Sequence, residues 1–206
     1  MRAMSEAMTE LYHPFLVGAS VYLRRVERQD LETEYFQWLN DSDVVRYMSN
    51  GTFPNSLENM LAYYESSTRS QTQINLAIVT IEDGRHIGNI GLNNINWVDG
   101  TAELGHLIGV KSYWGKGVAA EAVELITGYA FDRLNLRRLT AGMHAPNVPV
   151  VILFKKLGWV QEGRRREHVL RNNQAYDVIQ FGLLRREYYE RRKEEEPREV
   201  SEWKPL

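Results

Sequence analysis

The spacing of hydrophobic and polar residues along the chain predicts a mixed α/β domain. Apolar runs or alternating apolar positions that end at turn residues predict strands, and apolar positions that recur every three or four residues predict helices. The resulting order is β, α, α, β, β, β, α, β, α, β, β. The predicted strands cover 21–26, 74–80, 86–94, 102–110 and 138–143, a segment beginning at 159, and 176–184, and the predicted helices cover 30–39, 56–68, 118–134 and 149–157.

The size and composition of the chain indicate one globular domain with short additions at both ends. The 206 residues include 43% hydrophobic and 25% charged residues, which is the usual balance of a globular protein. We find no internal repeat. We predict an N-terminal extension at 1–20, the folded domain at 21–187, and a charged tail at 188–206 that is dense in Arg and Glu.

Charge and residue usage exclude several classes of function. With 25 Lys+Arg against 27 Asp+Glu, the net charge of −2 lacks the basic excess of a general nucleic-acid-binding protein. The absence of cysteine excludes disulfides, thiolate metal sites and a cysteine nucleophile. No apolar stretch reaches the length of a membrane span. We therefore expect a cytoplasmic protein that requires no metal and binds neither nucleic acid nor membrane.

One segment combines the end of a predicted strand, a glycine turn and the start of an amphipathic helix. The turn is Gly115-Lys116-Gly117. The first turn of a helix has unpaired N–H groups and a partial positive charge, which together bind phosphate groups. The two glycines leave the backbone accessible to an anion, small Ala119 keeps the approach clear, and Lys116 adds a cation. Taken alone, this turn is equally consistent with a plain strand-to-helix connection.

Two ordered signatures resemble the GNAT superfamily, in the branch of the ribosomal-protein N-terminal, spermidine and amino-sugar acetyltransferases. Residues 114–119, Trp-Gly-Lys-Gly-Val-Ala, are similar to the Q/R-x-x-G-x-G/A pyrophosphate loop, with Trp114 in the Gln/Arg place. Residues 147–159 resemble the N-x-x-S-x-x-L-Y-x-K-L-G-F signature. The resemblance extends from about 21 to 187. It implies the GNAT fold, a mostly antiparallel twisted sheet of six to seven strands, splayed in the middle and flanked by helices on both faces.

The resemblance also implies acetyl-CoA as co-substrate. Its pantetheine arm would lie in a gap between the strands 102–110 and 138–143, along the backbone of the first strand, with Asn147 on the other side. The residues implied in cofactor binding are Leu107, Ile108, Gly109, Trp114, Gly115, Lys116, Gly117, Val118, Ala119, Asn147 and Phe154.

Acetyl transfer to an amine requires alignment of two reactants, stabilisation of an oxyanion, and removal of a proton from an alkylammonium with a pKa near ~10. Our candidate base is Glu103, because related enzymes often have a Glu at the start of this strand. The alternative is an ordinary exposed or ion-paired strand residue. Regular alternation places Glu103 on the face of Leu107, unless a bulge lies between them. Many family members have a Tyr where this chain has Phe154, so water or another hydroxyl would protonate the thiolate.

The acceptor pocket of this fold is formed by the first two helices and their loop. Trp38, Arg46 and Tyr47 are the candidate acceptor-binding residues, although aromatic residues in such a region more often belong to the core. The mixed charges here leave the acceptor open among an amino-sugar nucleotide, a protein N-terminus and a polyamine.

Relatives often pair through late strands, so we also consider a homodimer, with Trp159 or Phe181 at its contact. The alternative function is a non-catalytic acyl-CoA-binding sensor or degenerate relative, for which Phe154 is the main argument.

Overall fold

The computed structural model describes residues 11–48 and 51–195, so parts of the predicted extension and tail lie outside the described residues. The strands are β1 Leu16–Val17, β2 Val21–Arg25, β3 Ile74–Thr80, β4 His86–Asn96, β5 Thr101–Ile108, β6 Arg138–His144, β7 Val160–Arg171 and β8 Gln174–Leu184. The helices are α1 Glu34–Trp38, α2 Leu57–Arg69, α3 Val118–Asp132, α4 Val148–Lys156 and α5 Arg185–Glu195, with 3₁₀ turns at Arg28–Glu32 and Lys111–Tyr113. All eight strands form one sheet in the order β1-β2-β3-β4-β5-β6-β8-β7. The predicted mixed α/β class and mostly antiparallel sheet are confirmed.

The N-terminal strand takes the sheet beyond the six to seven strands expected. Leu16 and Val17 lie within the predicted extension 1–20, yet they pair antiparallel with β2. The turn that follows is held by α3, because the carboxylate of Glu121 accepts a hydrogen bond of 2.9 Å from the backbone N–H of Ser20. Folded structure therefore begins before residue 21.

The predicted C-terminal tail, 188–206, contributes a buried residue to the core. Tyr188 of α5 lies within the predicted tail, but it is only 1% exposed. Its ring packs against that of Phe131 of α3, with the centroids 5.4 Å apart. The part of the tail that the structure describes is therefore a helix docked on the domain.

The first predicted helix, 30–39, is divided into a 3₁₀ turn and the short helix α1. Asp30, the first residue of the predicted helix and a residue type that commonly caps helices, does not cap α1. The Asp30 carboxylate is buried and accepts hydrogen bonds of 2.7 and 2.8 Å from the Arg24 guanidinium and one of 2.8 Å from the Glu27 N–H. Thr33 caps α1 instead, through a bond from the Tyr35 N–H. A buried carboxylate is stable only when it is paired, so the ion pair determines the conformation of Asp30.

The hairpin of β7 and β8 is longer than predicted. Its strands are joined by Asn172 and Asn173, whose φ angles are 48° and 60°. Two successive residues with positive φ are typical of a type I′ turn, and asparagine tolerates this conformation better than most residues. The sequence analysis placed no turn at these two residues.

Parallel pairing between β5 and β6 is limited to three residue pairs. These pairs are Thr101–Arg138, Ala102–Leu139 and Glu103–Thr140. Beyond them β5 continues along β4 as far as Ile108, while β6 continues along β8 as far as His144. The sheet therefore splays open between 104–108 and 141–144, as the resemblance implied.

Side chains alternate regularly along β5. Ala102 and Leu104 are buried, whereas Glu103 and Gly105 are exposed. The register with β4 is continuous over Glu103 to Ile108, so no bulge separates Glu103 from Leu107. The two residues consequently share one face of the sheet with Gly105. Helix α3 packs against β1, β2, β4 and β5.

Candidate active site

Strand β5 ends in an irregular backbone turn. The N–H groups of Gly109 and Val110 both donate to the carbonyl of Ile87, at 2.9 and 3.2 Å, so one acceptor serves two successive residues, as in a β-bulge. A Cβ on Gly109 would lie 1.9 Å from Cδ2 of Trp38. Trp38 is only 5% exposed. It therefore supports this turn from the core, and it is not among the residues of the cavity described below.

The glycine turn between β5 and α3 leaves the start of the helix uncapped. Gly117 is the N-cap residue with a φ of 86°, and within the described part of the chain no side-chain hydrogen bond caps the helix. Gly115 has a φ of 75°. A Cβ at either glycine would meet no atom within 4 Å, so the positive φ requires glycine and the space above the turn is open. The N–H groups at the start of α3, which include that of Ala119, thus form a site suited to an anion.

Trp114 and Lys116 flank this turn. The indole Nε1–H of Trp114 donates a hydrogen bond of 2.8 Å to the carbonyl of Ile108, which ties the turn to the end of β5. Lys116 is exposed, with Nζ 5.2 Å from the centre of the Tyr113 ring. Val118 is buried. It can contribute to an anion site only through its backbone.

Helix α4 carries the second predicted signature. Asn147 is its N-cap residue, but the Asn147 side chain does not cap the helix. Phe154 is 1% exposed, and its ring stacks on His106 of β5 with the centroids 5.9 Å apart. Burial lowers the pKa of His106 to about 4, so its imidazole is neutral at neutral pH. Phe154 also contacts Trp159 and Phe181, and both of these residues are buried within the single chain.

Glu103 lies at the point where β5 and β6 separate. Its Cα pairs with that of Thr140 on one side and that of Asn93 on the other. The side chain is exposed, and its Oε2 accepts a hydrogen bond of 3.2 Å from Nδ2 of Asn94. The next residue on the same face, Gly105, lines a cavity. Glu103 is thus the neighbour, along this face, of a residue that lines the cavity, although it does not line the cavity itself.

A cavity of about 470 Å³ lies against β3, β4 and β5. This volume is in the range of small-molecule sites, which is roughly 300–1,000 Å³. Its strand side includes Asn75, Asn89, Gly91, Asn93, Gly105 and Leu107. Its helix and loop side includes Tyr35, Phe53, Asn55, Asn59, Met60 and Tyr63.

Two of the predicted acceptor-binding residues lie beside the cavity and not on its wall. Arg46 is exposed and forms an ion pair of 2.6 Å with Asp43. The ring of Tyr47 contacts that of His144 edge-on, 6.3 Å between centroids, at the end of β6. Lys111 anchors their loop through a 2.9 Å contact with Asp43. The neighbouring residues 48 and 51–55 line the cavity instead.

The asparagines of the cavity were missed by the sequence analysis. Asn89, Gly91 and Asn93 alternate along β4 with residues that are buried in the core. Polar residues at every second position of a strand share one face. The available signal was the alternation in residues 89–93, Asn-Ile-Gly-Leu-Asn. It predicts that the two asparagines share one face of the strand and that the apolar residues lie on the other.

Comparison with known proteins decides the family. The sequence pattern of the acetyltransferase (GNAT) domain matches residues 20–160, which is more than half of the chain. The chain belongs to the GNAT acetyltransferase family. An uncharacterized N-acetyltransferase of Bacillus licheniformis is 32% identical to this GNAT acetyltransferase over 168 residues, 81% of this chain and 93% of the relative. Spermidine N(1)-acetyltransferase of Escherichia coli K12 is 29% identical over 169 residues, 82% and 88% of the two chains.

Solved structures show the same fold. The spermidine N-acetyltransferase from Vibrio cholerae in complex with CoA and spermine superimposes with a TM-score of 0.76 at 24% identity. The match covers 82% of this GNAT acetyltransferase and 98% of that chain. At this identity the similarity shows the fold alone.

This GNAT acetyltransferase uses acetyl-CoA as its acyl donor. The uncapped, positive-φ turn at Gly115 and Gly117 and the gap between β5 and β6 fit the phosphates and the extended arm of that molecule. Within 11–48 and 51–195, no group of three or more His, Cys, Asp or Glu residues could hold a metal ion. Over the same ranges, no helix has the length and apolar character needed to cross a membrane.

Proposed function

We propose that this GNAT acetyltransferase acetylates a primary amine directly, with donor and acceptor bound at the same time. The observation that carries the proposal is the double role of β5. Its edge at 104–108 borders the gap to β6, and its residues Gly105 and Leu107 line the cavity. Gly105 has no side chain to separate the two spaces. Reactants held in adjoining sites react as if in one molecule, which can supply much of the rate enhancement.

Several parts of the chain would hold the donor. The N–H groups at the start of α3 would bind the pyrophosphate, with Lys116 as an added cation. Backbone groups of Leu107, Ile108 and Gly109 would bind the pantetheine arm, with Asn147 on the opposite side. Acetyl-CoA supplies an activated thioester, so transfer forms a C–N bond, breaks the C–S bond and moves one proton from the amine and one to the thiolate.

We assign the removal of the amine proton to Glu103. Its carboxylate is exposed, lies where the two strands separate, and is bonded only weakly through Asn94 at 3.2 Å. A positioned base typically contributes about 10²- to 10⁴-fold to the rate. Phe154 is buried and has no hydroxyl, so we assign protonation of the thiolate to water.

The acceptor of the proposed reaction is a primary amine. Two similar proteins are named for spermidine acetylation, which supports a small-molecule amine here as well. An amino-sugar nucleotide, a protein N-terminus and a polyamine all carry the required group.

The test is turnover with acetyl-CoA and a panel of primary amines, followed through the released CoA thiol. We predict that Glu103→Gln lowers kcat/KM about 100-fold while the dissociation constant of acetyl-CoA, measured by calorimetry, stays unchanged. The matched control is Glu82→Gln, an exposed residue in the turn between β3 and β4, which should behave like the native enzyme. Equal activity of the two variants would contradict the role of Glu103.

The second candidate function is an acyl-CoA sensor without catalysis. The buried Phe154, which replaces a potential proton donor with a hydrocarbon ring, is the observation in its favour. The same experiment separates the two functions. Micromolar binding of acetyl-CoA without turnover of any amine would support the sensor and contradict the acetyltransferase.

A further inference from the structure

We infer that the acceptor is a hydroxyl-rich amine of the amino-sugar class, with no charged group besides the reacting amine, and that polyamines are poor substrates. The inference rests on the proposed function, because it takes the cavity against β3, β4 and β5 as the acceptor site. Its basis is the chemistry of the cavity wall. Five asparagines line it, Asn55, Asn59, Asn75, Asn89 and Asn93, and none of the described lining residues carries a charge.

An uncharged wall disfavours a polycation. A polyamine has further ammonium groups besides the reacting one, and each of them loses hydration when it enters a cavity. Burying a charge without a partner is costly, and only paired carboxylates or similar groups offset that cost. Glu103 lies at the border, with its Cα paired to that of Asn93, so it can serve the reacting ammonium only. The remaining ammonium groups would have no counter-charge on the described wall.

The asparagines are arranged around a floor of glycine. Asn75 of β3 and Gly105 of β5 are both paired with Gly91 of β4, so the three form one row across the sheet. A Cβ on Gly91 would lie 2.6 Å from Oδ1 of Asn75, and a Cβ on Gly105 would lie 3.7 Å from Nδ2 of Asn93. Because Gly91 and Gly105 have no side chains, they leave open space beside the amide groups of Asn75 and Asn93.

The amide groups match hydroxyls better than ammonium groups. An amide offers two donor hydrogens and an acceptor oxygen, and a hydroxyl both donates and accepts, whereas an ammonium only donates. Nδ2 of Asn89 and Nδ2 of Asn55 are buried donors without a hydrogen-bond partner within the described ranges. The backbone of Asn55 is fixed by the side chain of Asn40, through bonds of 2.8 and 3.0 Å.

Aromatic rings complete a surface suited to a sugar ring. Phe53 and Tyr63 line the cavity and are 80% and 48% exposed. Tyr63 is oriented by Asn75, whose Nδ2 donates a 2.9 Å hydrogen bond to its hydroxyl. The C–H face of a sugar can pack on such rings while its hydroxyls reach the amides.

The amine of such an acceptor also suits a site with one carboxylate at its border. Electron-withdrawing neighbours lower the pKa of an amine, as shown by the α-amino group at about 7.7–8.0 against about 10.4 for the lysine side chain. An amine beside sugar oxygens is affected in the same direction. More of it is neutral at neutral pH, so less help is required from Glu103 than a polyamine would need.

The experiment compares a free amino hexose, spermidine and a peptide with a free N-terminus at equal concentrations, by release of the CoA thiol. We expect kcat/KM to be at least about tenfold higher for the amino hexose than for either competitor. Asn93→Asp and Asn75→Asp add a carboxylate of the same shape to the wall. Each should lower the ratio of amino hexose to spermidine at least about tenfold. The control Asn135→Asp adds the same charge at an exposed residue after α3 and should leave the ratio unchanged.

A second measurement separates this inference from the proposed function. Calorimetry with the CoA-saturated protein gives the affinities of the amino hexose and spermidine without any turnover. One outcome would separate the two: no amine is acetylated, the amino hexose binds more tightly than spermidine, and Asn93→Asp and Asn75→Asp reverse this preference. The proposed function would then fail, and the assignment of the cavity to an amino sugar would stand. A preference for spermidine or the peptide in both measurements, or a preference that neither variant changes, would overturn the inference.

Discussion

The edge of β5 that faces β6 and the face of β5 that lines the cavity offer different groups to a ligand. Along the edge and in the following turn, at 104–108 and 115–119, the available groups are mainly backbone N–H and C=O groups. On the face, the available groups are side chains from three strands and the α1–α2 region, with Asn75, Asn89 and Asn93 over a glycine floor. One strand thus separates the proposed donor site, which consists of backbone groups, from the proposed acceptor site, which consists of side chains.

This difference bears on how each site can change. A backbone site depends on glycine and on the start of a helix, so few sequences can form it. A side-chain site can be altered one residue at a time while the sheet stays the same. Such an arrangement allows the acceptor to change while the donor stays the same, so the two proposed sites should respond differently to substitution.

The largest effect is expected at the backbone site. Gly117→Glu places a carboxylate at the proposed phosphate site and a side chain where φ is 86°. Lost charge-assisted hydrogen bonds of about 1.5–3 kcal/mol each, together with repulsion, should weaken binding of acetyl-CoA about 100-fold or more. Calorimetric titration with acetyl-CoA measures the change.

The control for this variant is Gly84→Glu in the turn between β3 and β4. Gly84 also has a positive φ, 65°, and a Cβ there also meets no atom within 4 Å, so the strain is matched and the location is remote. Its affinity for acetyl-CoA should equal that of the native protein. Equal loss in both variants would mean that strain, and not the phosphate site, explains the result.

A smaller effect is expected where the two sites meet. Gly105→Val adds a side chain on the face that lines the cavity, and the nearest atom to its Cβ would be Nδ2 of Asn93 at 3.7 Å. The acceptor would be displaced from the gap, and a misplacement of about 1 Å can cost up to about 100-fold, so we expect kcat/KM for the amine to fall about 30-fold. The affinity for acetyl-CoA should change little. Steady-state kinetics beside calorimetry measures both. Gly163→Val of β7 is the control, because it adds the same side chain to a strand glycine outside the cavity, where a Cβ meets no atom within 4 Å.

The backbone site was predictable from sequence because its parts are contiguous. Gly115 and Gly117 stand between a strand and an amphipathic helix, and the structure gives both of them a positive φ. The splay between β5 and β6 followed from the resemblance and is confirmed by pairing that stops at Glu103. The mixed α/β class followed from the residue pattern, and the arrangement of the sheet followed from the resemblance.

The buried ion pair of Asp30 with Arg24 was not predictable from sequence. An aspartate carboxylate can either cap a helix or pair with a cation, and only the packing decides between the two.

The side-chain site was not predictable in the same way. Its members come from separate segments, and no local pattern relates Asn55 to Asn75 or to Asn93. The expected place of the acceptor pocket, at the first two helices and their loop, pointed to Trp38 and Tyr47, although aromatic residues there more often belong to the core. Trp38 instead fills the space left by Gly109, a contact that depends on the tertiary structure.

The smallest effect is expected from a histidine at the edge of the gap. Burial lowers the pKa of His106 to about 4, below the value of about 6.5 in the unfolded chain, so between these values the unfolded state binds more protons. This contribution is constant above about pH 7, and stability is lost as the pH falls from about 6.5 towards 4. His86 and His144, whose pKa values burial also lowers, add to the same trend.

His106→Gln should therefore reduce the loss of unfolding free energy between pH 7 and 4 by at least about 1 kcal/mol, because burial of the ring disfavours its protonation in the folded state. Urea denaturation at a series of pH values measures the slope. His168→Gln, at an exposed histidine of β7, is the control and should leave the slope as in the native protein. A steeper slope in His106→Gln would mean that His106 is stabilised as a cation, and the edge of β5 would then offer a charged side chain beside its backbone groups.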